Sequence, residues 1–71
     1  MMVSIIITNP LFERGTYLRS GADPKMLFML RAGQVYLVPE EAARVLVKTG
    51  EARMYGGSYW GIAYKSMELA A

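Results

Sequence analysis

The clearest pattern of apolar and polar positions along the chain runs from Gly33 to Gly50. Val35 to Val38 form an unbroken apolar run rich in β-branched and aromatic side chains, which is typical of a buried strand. Pro39 cannot donate to a sheet, but it suits the first turn of a helix. Apolar residues then recur at helical spacing until Gly50, which can take the left-handed conformation that ends many helices. The pattern predicts a strand leading directly into a short helix over about residues 39–49.

The charges at the two ends of this helix agree with the prediction. Glu40 and Glu41 would lie at the positive end of the helix dipole, and Lys48 at the negative end. No Ser, Thr, Asp or Asn precedes Pro39, so a side-chain N-cap is not expected. The predicted apolar face is made of Ala42, Val45, Leu46 and Thr49, widened by Ala43 and Val47.

Three further segments favour strands around this helix. Residues 3–8 alternate in the manner of a first strand, 16–19 could form an edge strand, and 51–55 would return after the helix. The predicted fold class is α+β, a small and mostly antiparallel sheet with one short helix packed on it. Residues 1–65 would form the single domain, and 66–71 a C-terminal tail or short helical turn.

Residues 26–30 form the longest uninterrupted apolar run, Met-Leu-Phe-Met-Leu. A run without a period indicates either a strand covered on both faces or a strand whose second face meets a partner. The turn-like residues 31–34 follow it, with Gly33 able to accept a positive φ. We therefore expect residues 25–30 to pair with residues 35–38 as an antiparallel hairpin.

The aromatic segment near the C terminus carries the best functional signal. Gly56-Gly57 is a good two-residue turn, and in an extended chain Trp60, Ile62 and Tyr64 would share one face. These side chains could complete the core of a small sheet, bind a protein partner, or reach onto a neighbour as an arm. Tyr and Trp are enriched at interface hot spots. The candidate interface residues are Trp60, Ile62, Tyr64, Tyr59, Met26 and Phe28.

Composition favours an assembly over an isolated domain. The chain has 71 residues, enough for one domain, and 54% of them are hydrophobic. A domain this small has a marginal core and cannot easily hide so much apolar surface. Large exposed apolar patches usually mark interfaces, and six methionines add adaptable apolar surface. We expect the chain to be a subunit of an oligomer or larger complex.

The sequence offers no catalytic, cofactor-binding or metal-binding motif. It contains no cysteine and no histidine, which excludes disulfides, the common zinc sites and His-based nucleophile activation. It has neither a P-loop nor a dinucleotide-binding glycine pattern. Apart from Glu40-Glu41 the acids are scattered. We therefore predict no enzymatic activity, no cofactor and no small-molecule substrate.

Net charge is +2, which is too mild to argue for nucleic acid by itself. Basic residues interleaved with an aromatic could bind a single strand, but nearby acids dilute the charge, so a solvated surface is favoured. No apolar run is long enough to span a bilayer, and the N terminus lacks a secretory pattern. We expect a soluble chain without a membrane partner. The basic and aromatic candidates for nucleic acid are Arg14, Tyr17, Arg19, Lys25 and Arg31.

Residues 32–52 resemble a segment common in small proteins of tailed bacteriophages. The shared features are a glycine, a short strand ending in Val38-Pro39, an acidic helix start, Ala and Leu on the helix face, and a closing Gly-x-Ala. The resemblance implies a small structural virion protein, such as a capsid-decorating, head–tail or tail-associated component. It would be made in the host cytoplasm and would bind itself or a major virion protein. The alternative is a small regulatory or nucleic-acid-binding module.

Overall fold

The computed structural model describes residues 1–11, 15–59 and 61–69 of the chain. Within them the chain forms two three-stranded antiparallel sheets and one helix, so the α+β prediction is confirmed. The elements are β1 (Met2–Ile7), β2 (Thr16–Ser20), β3 (Leu27–Met29), β4 (Val35–Pro39), α1 (Glu40–Lys48), β5 (Ala52–Met54) and β6 (Tyr64–Leu69). In the described part of the chain, no helix has the length and apolar character needed to cross a bilayer.

The first sheet has the strand order β4-β1-β5 and is built around the predicted strand–helix unit. In its register, Ile5 of β1 lies opposite Tyr36 of β4 on one side and Met54 of β5 on the other. Strands β4 and β5 run in the same direction on either side of β1, and α1 crosses between them over one face. The helix therefore lies over the centre and the β5 side of this sheet.

Helix α1 begins and ends where its sequence predicts. Pro39 is the N-cap residue, with φ −59° and no side-chain capping bond, and Glu40 and Glu41 occupy the first turn. Gly50 has φ +83°, and its N–H donates to the Val47 carbonyl oxygen at 3.1 Å. Any other residue at position 50 would have to adopt this left-handed conformation, which a β-carbon makes costly.

The buried stripe of α1 is narrower than the predicted apolar face. Ala42, Ala43 and Leu46 are buried, but Val45, Val47 and Thr49 are exposed, so the prediction was wrong for these three. A single helix touches its sheet along one line, and the positions on both flanks of that line reach solvent. Val45 and Val47 consequently leave apolar surface on either side of the helix.

The second sheet has the order β3-β2-β6, which corrects two predictions. Strand β2 is central, not an edge strand. Strand β6 occupies residues 66–69, which were predicted to be a tail or helical turn; residues 70 and 71 lie outside the described residues. The physical reason is that Met67 lies opposite Leu18, a fully buried residue of β2, so the segment gains a strand partner with an apolar face.

The predicted hairpin between residues 25–30 and 35–38 does not form. Strand β3 pairs with β2, and β4 pairs with β1. The intervening turn instead docks on the end of β1: the Gly33 N–H donates to the Ile7 carbonyl oxygen at 2.7 Å, and the Ile7 N–H donates to the Gln34 carbonyl oxygen at 3.0 Å. Gly33 has the positive φ expected of it, +84°. The turn therefore carries the chain from one sheet to the other.

The two sheets and the helix enclose one core. Helix α1 covers part of the inner face of the first sheet, and the second sheet meets β4 through β6. A parallel bridge between Leu37 and Ala63 joins the sheets at this seam. The buried apolar residues are Ile5, Ile7, Leu18, Leu30, Tyr36, Val38, Ala42, Ala43, Leu46, Ala52 and Tyr64.

Candidate protein-interaction surfaces

Tyr64 is part of the core and not of an exposed surface. Its side chain is 6% exposed. Its ring meets that of Tyr36 edge-on, with centroids 5.4 Å apart, and that of Phe28 edge-on at 5.6 Å. Such pairs add to area burial because the positive ring edge meets a negative ring face. Of the alternatives left open by the sequence, Tyr64 takes the core, and half-buried Phe28 packs against it.

The remaining candidate interface residues have different environments. Ile62 is 46% exposed, Met26 is exposed to a similar extent, and Tyr59 is half-buried. Trp60 lies outside the described residues. The end of β2 lies between the two exposed segments: the Ser20 N–H donates to the Met26 carbonyl oxygen, and the Gly21 N–H to the Ala63 carbonyl oxygen, both at 3.0 Å. The five described candidates therefore do not form a single exposed surface, since Tyr64 is buried.

Strand β3 presents apolar side chains beside a sheet edge that is unpaired among the described residues. Leu27 and Met29 project from the outer face of the second sheet, and each is nearly half exposed. The hydrogen bond from the Ser20 N–H to the Met26 carbonyl oxygen makes these two residues a hydrogen-bonded pair of the antiparallel ladder. Hydrogen-bonded and non-hydrogen-bonded pairs alternate, so the N–H and C=O groups of Leu27 point away from β2. This surface, the β3 edge, argues against one alternative for the apolar run: the described residues do not cover both faces of the strand.

A second apolar surface, the α1–β5 groove, lies between helix α1 and Met54 of strand β5, at the outer edge of the first sheet. Its volume is about 400 Å³. Exposed Met54 and Val47 stand on its two sides. Charged side chains line its helical wall, where Arg44 and Glu40 approach to 3.7 Å. The full lining is Val3, Glu40, Ala43, Arg44, Val47, Lys48 and Met54.

The outer edge of β5 borders this groove. The Tyr55 N–H donates to the Ser4 carbonyl oxygen at 3.0 Å, and the Thr8 N–H donates to the Glu51 carbonyl oxygen at 2.8 Å. Because hydrogen-bonded pairs alternate along an antiparallel ladder, Arg53 is the β5 residue whose backbone faces β1. The N–H and C=O groups of Ala52 and Met54 therefore point outward, and no described strand pairs with them.

The basic residues proposed for nucleic acid are only partly free. Arg19 donates to the Glu68 carboxylate and to the Pro24 carbonyl oxygen. The Arg19 bond holds the pKa of Glu68 below its ordinary value, and the same bond raises the pKa of Arg19. Lys25 and Arg31 are exposed, Tyr17 is partly exposed, and Arg14 lies outside the described residues. An arginine already bound to a carboxylate is a poor phosphate ligand, so this set gains no support as a nucleic-acid site.

Glu51 is a structural residue that sequence inspection missed. Its side chain is 1% exposed. One carboxylate oxygen accepts the Leu11 N–H at 3.2 Å, and the other accepts the Thr49 hydroxyl at 2.9 Å. The Glu51 carbonyl oxygen also accepts the N–H groups of Thr8 and Asn9. The available signal was an acid directly after a helix C terminus, where the dipole favours a base.

The α1–β5 groove was also missed as a unit. Val47 was assigned to the buried helix face, and Met54 was placed in a return strand without a role. Only the excess of apolar residues pointed to a surface of this kind. No family model, no curated protein and no solved structure matches the chain.

Burial of Tyr64 predicts a loss of stability in alkali. Burial, and to a lesser degree Tyr59 and Tyr36, raise the pKa of Tyr64 above its usual value. The folded state therefore holds the phenol proton more tightly than the unfolded chain, whose tyrosines titrate near pH ~10. The stabilisation is complete below that pH and is lost as the pH rises through the folded pKa. We expect urea titrations of Tyr64→Phe to show a smaller alkaline loss than the parent; an equal loss would contradict the assignment.

Proposed function

We propose that the chain is a small non-enzymatic structural protein of a bacteriophage particle. It acts by burying apolar surface against copies of itself or a major virion protein. The observation that carries this proposal is the exposure of large apolar side chains beside two strand edges with which no described strand pairs. Among the described residues, the exposed large apolar ones are Met1, Met2, Met26, Leu27, Met29, Val45, Val47, Met54 and Ile62.

The β3 edge supports a protein-binding role because, apart from its short length of three residues, the described part of the chain gives it little of the usual protection of an exposed strand. Soluble proteins blunt such edges with lysine, proline, bulges or covering segments. The three residues of β3 are Leu27, Phe28 and Met29, and the first and last are exposed. An edge of this kind can accept an added strand from another protein, with side-chain pockets giving specificity.

The bacteriophage assignment rests on the resemblance of residues 32–52 to small tailed-phage proteins. A virion also suits short apolar surfaces for a physical reason. Contacts that are weak one at a time become firm on a symmetric lattice, because each bound copy raises the effective concentration of the next contact. Small patches at β3 and at the α1–β5 groove are sufficient in that setting.

Particle sedimentation tests the proposal. In lysates of phage-infected cells that produce the protein, the protein should co-sediment with assembled phage particles on a density gradient. Met29→Glu places a charge on the β3 edge, outside the core, and should lower the particle-bound share about tenfold, as expected for loss of an interface hot spot. Ala22→Glu adds the same charge at a nearby exposed position and should leave the share unchanged.

The proposal fails if the parent protein stays with the free proteins at the top of the gradient. In that case the nucleic-acid alternative has its own signature. It requires binding to single-stranded DNA or RNA at low salt, with an affinity that falls steeply as salt rises. A chain that co-sediments with particles and shows no such binding is a structural component.

A further inference from the structure

We infer that a second copy of this chain docks on the α1–β5 groove about a twofold axis. The two β5 strands pair antiparallel, and the two α1 helices pack side by side on the same face of the joined sheet. This inference rests on the proposed function, since it names one partner of a protein that acts through apolar contacts. Backbone register and side-chain shape support it, and opposite charges on α1 can be matched across the axis, whereas the two Arg53 side chains, which lie opposite each other on the far face of the sheet, oppose it.

The backbone groups of β5 are self-complementary. Ala52 and Met54 direct their N–H and C=O groups outward, and Arg53 lies between them. A twofold axis through Arg53 sets Ala52 of each copy opposite Met54 of the other. Each such pair exchanges two hydrogen bonds, so every outward group finds its partner. The result is one continuous sheet in the order β4-β1-β5-β5-β1-β4.

The side chains supply both a projection and a hollow on this one surface. The projection is Met54, which is 58% exposed. The hollow is the groove beside it, which has a volume of about 400 Å³. A twofold contact is isologous, so a surface that carries both features can fill itself. Each Met54 then packs against Val47 of the other copy. An unbranched methionine adapts well to such a gap.

Charge on α1 favours the same arrangement. The helical wall of the groove carries Glu40 at its N-terminal end and Lys48 at its C-terminal end. A twofold axis perpendicular to the sheet makes the two helices antiparallel, so Glu40 of each copy faces Lys48 of the other. Arg44, midway between them, faces the other Arg44, and its charge is offset by Glu40 of its own chain at 3.7 Å. Neighbouring strands are about 4.8 Å apart, and α1 lies over β5 and β1. In the dimer, the axes of the two α1 helices would therefore lie roughly 10 Å apart, which is within helix-packing distance.

The β3 edge has the same alternation of backbone groups, with Leu27 and Met29 outward and Phe28 between them, but not the shape of the groove. The hollow beside Met29 has a volume of about 0 Å³, against about 400 Å³ in the α1–β5 groove, so a projecting side chain of a second copy has no space to enter there. The β3 edge therefore remains the surface for a different partner, and it supplies a matched control for the groove.

Light scattering and sedimentation equilibrium on the purified chain test the inference. The parent should form a dimer whose fraction rises with concentration. Met54→Glu should raise the dimer dissociation constant at least about tenfold, because it removes the apolar side chain that fills the hollow of the other copy and puts a charged one in its place. Met29→Glu makes the same replacement at a similarly exposed methionine on the β3 edge and should leave the constant unchanged. Unfolding midpoints establish that both variants are folded.

A charge exchange separates the interface from helix stability. Glu40→Lys or Lys48→Glu alone should weaken the dimer several-fold, because like charges then face each other across the axis. The double variant should restore it. Folding should respond differently: both changes oppose the helix dipole and the first removes the Glu40–Arg44 pair, so the double variant should be the least stable. A dimer that weakens in step with folding stability would overturn the charge pairing.

Two results would overturn the inference while leaving the proposed function standing. One is a parent dimer dissociated by Met29→Glu and not by Met54→Glu, which would assign self-association to the β3 edge. The other is a monomer at every concentration from a protein that still co-sediments with particles, which would assign the groove to a virion partner. Failure of co-sedimentation with an intact Met54-dependent dimer would instead overturn the proposed function alone.

Discussion

Replacing Tyr64 with alanine should lower the free energy of unfolding by about 3–5 kcal/mol, the usual range for truncating a buried aromatic residue. The ring lies between Tyr36 and Phe28 and joins the second sheet to the first. Alanine would leave a cavity at this seam and remove both edge-on aromatic contacts. Urea denaturation followed by far-ultraviolet circular dichroism measures the loss. Small domains are only marginally stable, so this change could unfold much of the population.

Ile62→Ala is the matched control for this prediction. Ile62 and Tyr64 are two residues apart, and their spacing alone predicts the same face. The structure places Ile62 46% exposed, so its truncation should change stability by less than about 0.5 kcal/mol. Tyr64→Phe keeps the ring and should remain folded at neutral pH, which keeps the test informative if Tyr64→Ala unfolds. Equal losses for Ile62→Ala and Tyr64→Ala would contradict the core assignment of Tyr64.

Local chemistry made the helix predictable. Pro39, the two acids after it, Lys48 and Gly50 each act within one turn of the helix, and each occupies its expected position. The strand–helix–strand order needed no knowledge of distant contacts. The same is true of Gly33, whose positive φ follows from a local turn.

Strand partners were not predictable from local pattern, because pairing is decided by long-range contacts. Residues 25–30 and 35–38 are close in sequence and separated by a turn, which favours a hairpin. Their strands instead pair with β2 and β1, since Gly33 and Gln34 bond to Ile7 and turn the chain from one sheet to the other. Strand β6 alternates polar and apolar residues only from Ser66 onward, because its register with β2 is irregular near Tyr64, and it was missed for the same reason: Met67 is recognisable as a strand residue only beside Leu18.

The candidate surfaces were predictable in kind but not in place. An apolar excess indicated exposed apolar surface, and Met26 does lie exposed near the β3 edge. Aromatic residues drew attention to Tyr64, yet a small two-sheet domain needs large rings to fill the seam between its sheets. The exposed apolar surface is instead made of methionine, valine and leucine side chains on the flanks of α1 and along the strand edges. In the described part of the chain no other element packs over these positions, so their side chains face solvent.

Replacing Glu51 with alanine should cost about 2–4 kcal/mol, the second largest effect we expect. Its side chain is almost fully buried, and its carboxylate accepts the Leu11 N–H and the Thr49 hydroxyl. Removing the acceptor leaves the Leu11 donor without its partner, and hydrogen bonds to a charged group contribute about 1.5–3 kcal/mol each. The loop after β1 would lose its tie to the end of α1. Chemical denaturation gives the stability, and amide hydrogen exchange at Leu11 reports the local tie.

Two variants separate this role from a general effect of charge. Glu51→Gln keeps an oxygen for the Leu11 N–H, and the Thr49 hydroxyl can turn to accept from the new amide, so the loss should be about half that of alanine. Glu41→Ala removes an exposed acid from the first turn of α1 and should cost about 0.3–1 kcal/mol through the helix dipole. If the carboxylate joins the loop to the helix, exchange at Leu11 accelerates in Glu51→Ala and not in Glu41→Ala. Equal exchange in the two variants would assign Glu51 no role beyond filling its site.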